Sequence, residues 1–154
     1  MIPWIYQNKY YIIDCSFKNI SINNIFEDEN YAILKKDPEF YHYCGYIYNN
    51  IYLCVSDSDN KFIRIWDLVK KVIYKQINYD ANYGFGIIPW NSTFSILGCK
   101  GCLVVINIEK SKMVKKIELD NINSSLLAIR RIKTNQFGEC LICSDGNNIR
   151  LFSL

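Results

Sequence analysis

Two Cys-x-x-Cys pairs are the residues best suited to chemistry in this chain: Cys99-Lys100-Gly101-Cys102 and Cys140-Leu141-Ile142-Cys143. Tetrahedral zinc sites use this spacing, and so do redox dithiols. In an extended strand, residues i and i+3 point to opposite faces, so Cys140 and Cys143 cannot grip one ion. The first pair spans a turn at Gly101, with no helix N-terminus to lower a thiol pKa. His42 is the single histidine. A nucleophile would have that one base to draw on, and no Gly-x-Ser-x-Gly elbow is present. Gly84-Phe85-Gly86 lacks the third glycine and the following helix of a phosphate loop. Asp57/Asp59 and Glu27/Asp28/Glu29 read as turn and loop carboxylates. The expectation is a non-enzyme with no metal and no cofactor.

The elements that would carry these residues are strands. The 154 residues include 25 Ile, 12 Tyr and 8 Phe but 3 Ala. β-Branched and aromatic side chains suit a pleated, half-buried surface, and the best helix former is scarce. The length suits one domain with a sizeable core. A net charge of +3 is too mild to argue for nucleic acid. The charge-free stretch 81–99 contains Gly84, Gly86 and Pro89, which makes it two strands and a turn rather than a membrane span. No basic leader precedes the first apolar residues, so no secretory signal is expected. Seven scattered cysteines then read as reduced thiols of an intracellular, cytoplasmic protein. The triplets at Asn19, Asn91 and Asn123 read as chance rather than glycosylation.

Residues 58–68 read Ser-Asp-Asn-Lys-Phe-Ile-Arg-Ile-Trp-Asp-Leu, and residues 144–154 repeat the pattern 86 positions later. A degenerate copy occupies 98–108, at offsets of 40 and 46. This period marks an array of units that bury their faces against one another. The Cys-x-x-Cys pairs fall at different points of it, because Cys99 aligns with Asp145. Around the best copy, the expected strands are 41–48, 51–56, 62–66 and 70–77, with Asn49-Asn50 as a two-residue turn and 57–61 as a hairpin tip. The next unit runs through 84–89, 94–98, 102–108 and 113–119, and the last through 126–132, 140–144 and 149–152. At the start, 9–15 is expected as a third strand with Asp14 in the place of Asp67. Residues 18–25 follow as a fourth strand, and 28–37 as a charged loop.

Four-strand units ending in Ile-Arg-Ile-Trp-Asp-Leu resemble WD40 repeats. The resemblance implies an all-β partial WD40-type β-propeller of about three and a half four-stranded antiparallel blades. Its parts are 1–30 (the end of a blade), 39–77, 83–119 and 124–154 (lacking its outer strand). It also implies a structural relay of Ser58, Asp59 and Trp66, with His42 as the fourth member. Ile106 and Phe152 stand in the place of Trp66, keeping its packing without the N–H donor.

By the same resemblance, the chain is a non-catalytic scaffold for protein–protein interaction. Its partner surface would include Tyr41, His42, Asp80 and Tyr83. The alternative is an RNA-contacting or ribonucleoprotein-assembly propeller using Lys70, Lys71, Arg130, Arg131 and Lys133. Closed rings take roughly 4–8 blades. The expectation is therefore self-association or further blades to complete the ring, and no membrane contact.

Overall fold

A computed structural model describes residues 1–15, 19–26, 30–34, 42–57, 61–119, 128–136, 138–144 and 148–153. The strands form four antiparallel sheets, each ordered as its strands follow in the chain. The first holds β1 (Ile2–Tyr6), β2 (Lys9–Cys15), β3 (Ile20–Asn24) and β4 (Asn30–Leu34). The second holds β5 (His42–Tyr48), β6 (Tyr52–Asp57), β7 (Phe62–Asp67) and β8 (Val72–Asn78). The third holds β9 (Gly86–Pro89), β10 (Phe94–Cys99), β11 (Cys102–Asn107) and β12 (Lys112–Glu118). The fourth has three strands: β13 (Ala128–Thr134), β14 (Gly138–Ser144) and β15 (Ile149–Ser153). The strands that open the sheets, β1, β5, β9 and β13, are neighbours in space. The sheets radiate from them in a β-propeller arrangement.

The opening of the chain differs from the sequence expectation. Residues 2–34 supply a four-stranded sheet rather than the end of one. Lys9–Cys15 is its second strand, and Asn30–Leu34 is a strand inside the expected charged loop. The turn after β5 has three residues, because Tyr48 pairs with Tyr52. Asn49 and Asn50 do adopt positive φ, at 46° and 58°. Asn tolerates this left-handed region better than other side chains.

A local device marks the place where each of the first three sheets turns into its last strand. Asp67 accepts hydrogen bonds from the Val69 and Lys70 N–H groups at 3.0 and 2.9 Å. Asn107 accepts one from Lys110 N–H at 2.7 Å, and Asn24 one from Phe26 N–H at 3.0 Å. The next residue ties back to the start of the second strand or the turn just before it in all three: Leu68 N–H to Ile51 O, Ile108 N–H to Thr93 O and Ile25 N–H to Tyr10 O. A register shift lies just before it each time, at Ile65/Trp66, Val105/Ile106 and Ile22/Asn23. Asn24, not Asp14, therefore holds the place of Asp67. Asp67 is buried, and its loss strands two N–H donors. Asp67→Ala should lower unfolding free energy by about 1–2 kcal/mol, and Asp67→Asn by less than half of that. Urea denaturation of the two variants measures it.

The core lies between sheets. Trp66, Leu53 and Val55 pack with Trp4, Ile13, Ile20 and Ile22 in the seam of the first and second sheets. Ile106, Val104 and Leu97 pack with Cys54, Ile63 and Ile65 in the next. Phe152, Leu141 and Cys143 pack with Ile88, Ile96 and Leu103 in the third. Trp66, Ile106 and Phe152 each pair with the strand before them, opposite Leu53, Ser95 and Leu141. Each faces the preceding sheet. Alternation along the strands sends neighbouring residues to the opposite face.

Candidate interaction face

Residues 79–85 carry the chain from the outer strand β8 to the inner strand β9, and this crossing is clamped at both ends. Tyr79 N–H donates to Lys61 O at 3.0 Å, beside the hairpin of the second sheet. Lys100 N–H donates to Asn82 O at 3.0 Å, which ties it to the hairpin of the third, and Phe85 N–H donates to Gly98 O at 3.0 Å. Tyr79 and Ala81 are buried in the seam and anchor the segment from below. Asp80, Asn82 and Tyr83 point out. Tyr83 is 49% exposed, has φ of 52°, and lies over Phe85 with ring centroids 6.3 Å apart at 18°. A non-glycine residue at such a φ is held there by its surroundings. A Cβ at Gly84 would run into the Tyr79 hydroxyl, so the close approach of the chain to Tyr79 needs glycine.

Charge around this crossing is mixed. Lys116 pairs with Glu118 at 2.8 Å. That hydrogen bond holds the Lys116 ammonium above its usual range, with Asp80 adding a smaller pull. Lys100 is exposed at the hairpin tip, where Gly101 takes φ of 70°.

Beneath that tip, Cys99 and Cys102 stand opposite each other in register. Burial is the first cause that raises both thiols, so they are neutral at physiological pH. Cys143 packs in the third seam, and its thiol is pushed up by burial to about 11. Cys140, three residues earlier on the strand, lies on the other face. No group of three metal-binding side chains occurs among the described residues.

His42 opens β5, in register with Asp57, and its side chain is outside the described residues. So are Tyr41, Ser58 and Asp59 of the expected relay and partner surface. Trp66 Nε1 and Ser56 Oγ are buried and meet no hydrogen-bond partner among the described residues. Ser56 and Trp66 lie on opposite faces of their sheet, as the pairs Ser56↔Ile63 and Leu53↔Trp66 show.

Two polar links across seams had no signal in the sequence. Tyr46 Oη and Ser95 Oγ lie 2.5 Å apart, joining the second sheet to the third. Trp4 Nε1 donates to Asn50 O at 2.7 Å, joining the first to the second. Their partners are 49 and 46 residues apart in the chain, so no local motif marks them. Of the basic residues singled out earlier, Lys70 and Arg131 meet side chains of this chain. Lys70 is 3.9 Å from Asp67. Arg131 is 2.5 Å from Glu139 and lies over the Trp90 ring at 4.9 Å. Inside the arc, the inner strands bound a cavity of about 540 Å³ lined by Ile2, Gly45, Tyr46, Ile87, Ile88 and Arg130, among others.

No protein-family model matches the sequence, and no curated protein does. Solved structures do. The chain is similar to the WD40 beta propeller domain of Doa1, with a TM-score of 0.74 and 15% identity over 96% of this chain and 47% of that one. It is also similar to the hydrazine synthase of Kuenenia stuttgartiensis, with a TM-score of 0.67 and 11% identity over 99% of this chain and 49% of that one. The chain thus spans about half the length of either. At these identities the likeness concerns the fold. No helix among the described residues is long and apolar enough to cross a membrane.

Proposed function

We propose that this chain is a non-catalytic interaction scaffold that presents the 79–85 crossing and the adjoining hairpin tips to a protein partner. The observation that carries the reading is the clamping of that crossing. Its backbone bonds to the hairpins of two sheets, while Asp80, Asn82 and Tyr83 stay free to meet another surface. A rigid loop loses little conformational entropy on binding. An aromatic ring with a polar tip is a frequent binding anchor. The likeness to a WD40 propeller domain supports a scaffold role in general terms.

Affinity capture followed by mass spectrometry tests this. A partner should be retained by the intact chain and by Lys112→Ala, at the opposite end of the sheets. It should be lost with Tyr83→Ala and weakened with Asp80→Ala, circular dichroism being unchanged throughout. Removing a central aromatic anchor costs about 2 kcal/mol, a roughly 30-fold weaker Kd. Equal capture by all four proteins removes this face from consideration.

A further inference from the structure

The seam between the second and third sheets opens into a cavity at the end opposite the 79–85 crossing, and a row of tyrosines lines it. Tyr48 pairs with Tyr52 across the β5–β6 turn, with ring centroids 6.3 Å apart. Tyr74 comes from the outer strand. The register shift between β7 and β8 pairs Ile65 with Lys75 and Trp66 with Ile73, which leaves Tyr74 as the extra residue of a bulge. A bulge re-aims a side chain. Here the Tyr74 ring stacks on Tyr52, 4.7 Å away at 24°. The three rings line a cavity of about 210 Å³, which Glu109 lines from the third sheet.

Polar groups converge on these rings. Lys75 Nζ donates to Glu109 O at 3.3 Å and lies 5.2 Å from the centroid of the Tyr74 ring. An ammonium has two further N–H groups to give. The exposed Glu109 carboxylate and Asn49 amide line the same space. Neither side chain bonds to another among the described residues.

This lining discriminates between ligand classes. A cation meets the Lys75 ammonium already seated over the aromatic face. An anion meets the Glu109 carboxylate. A purely apolar group strips water from an ammonium, a carboxylate and an amide and returns no hydrogen bond. A neutral polyol avoids all three costs. Each of its hydroxyls both donates and accepts, so neighbouring hydroxyls can take a bond from Lys75 or Asn49 and give one to Glu109. The slightly positive C–H face of a sugar ring complements the negative face of a tyrosine ring. Aromatic walls with a few convergent polar groups are the usual make-up of a small-molecule site. The volume falls below the roughly 300 Å³ at which sites for drug-sized ligands begin, which limits the guest to one ring.

We infer that this cavity binds one neutral pyranose ring. Its C–H face lies on the tyrosine row, and adjacent hydroxyls reach Glu109, Asn49 and Lys75.

Saturation-transfer NMR of the intact chain tests this. The probes are the methyl glycosides of glucose, galactose, mannose and N-acetylglucosamine, which stand for the end of a glycan. The 6-phosphate of whichever sugar binds stands for the free phosphorylated form. At least one methyl glycoside should bind with a Kd on the order of 1 mM, and its 6-phosphate roughly tenfold more weakly, because Glu109 repels it. Tyr74→Ala should abolish the signal, and Tyr74→Phe should keep the Kd within about threefold. Glu109→Gln, in an exposed turn, should weaken binding roughly tenfold. Tyr83→Ala, at the other end of the sheets, should bind as the parent does, with circular dichroism unchanged in all variants. Silence from all four methyl glycosides at about 20 mM overturns the inference. So does binding that Tyr74→Ala or Glu109→Gln leaves untouched, or a sugar phosphate that binds as well as its neutral parent.

Discussion

Trp66→Ala should lower the free energy of unfolding by about 3–5 kcal/mol, the usual cost of emptying a large buried aromatic site. The indole is 4% exposed and sits among Leu53, Trp4 and Ile22 in the seam of the first two sheets. Trp66→Phe should cost roughly 1 kcal/mol, because lost volume is offset by removing a buried N–H donor. That donor has no acceptor among the described residues, and Phe152 fills the equivalent place in the fourth sheet. Urea denaturation of both variants separates packing from hydrogen bonding. If Trp66→Phe loses as much as Trp66→Ala, the N–H is bonded, and the relay implied by Ser58 and Asp59 is the place to look for its acceptor.

Stability should fall steeply in mild alkali. Cys54 is fully buried, and burial pushes its thiol from 9.0 up to about 12. In the unfolded chain the thiol ionises near its ordinary value. The unfolded state therefore releases a proton that the folded state retains, from about pH 9 upward. The contribution is complete below pH 9 and is lost as pH rises through 12, at about 1.4 kcal/mol per pH unit for this one group. Burial raises Cys99, Cys102, Cys143 and Tyr46 as well, so their effects add in the same direction. Cys54→Ala is less stable than the parent at pH 8, but the gap should narrow by about 1.4 kcal/mol for each unit above pH 9. Denaturation midpoints at pH 8, 9, 10 and 11 measure this. A gap that stays constant over that range contradicts it.

The parts of the fold that were legible in the sequence are those where strand pattern and turn chemistry coincide. The second sheet was clear because alternating Phe-Ile-Arg-Ile-Trp is bounded by polar tips and an Asn pair. The third was clear because Gly101 and Asn91 punctuate two apolar runs. The first sheet was misphased because Asn23-Asn24-Ile25 carries no aromatic residue. Asp14 then matched Asp67 by residue type, although the turn device sits at Asn24, 43 residues before Asp67. At the candidate interaction face, Asp80 and Tyr83 could be named from loop position. The backbone clamp on residues 79–85 could not, because its partners lie on hairpins of two different sheets. The link between Tyr46 and Ser95 was hidden for the same reason.

Each sheet is a meander whose neighbouring strands are also consecutive in the chain. The ladder contacts are therefore short in sequence, and only the seams join distant residues. Short loops close at low entropic cost, so any of the four meanders is able to nucleate before the others. During synthesis from the amino end, each sheet would then be able to dock on the one already formed. The hydrogen bonds accepted by Asn24, Asp67 and Asn107 are local in the same sense, since each joins residues no more than three apart.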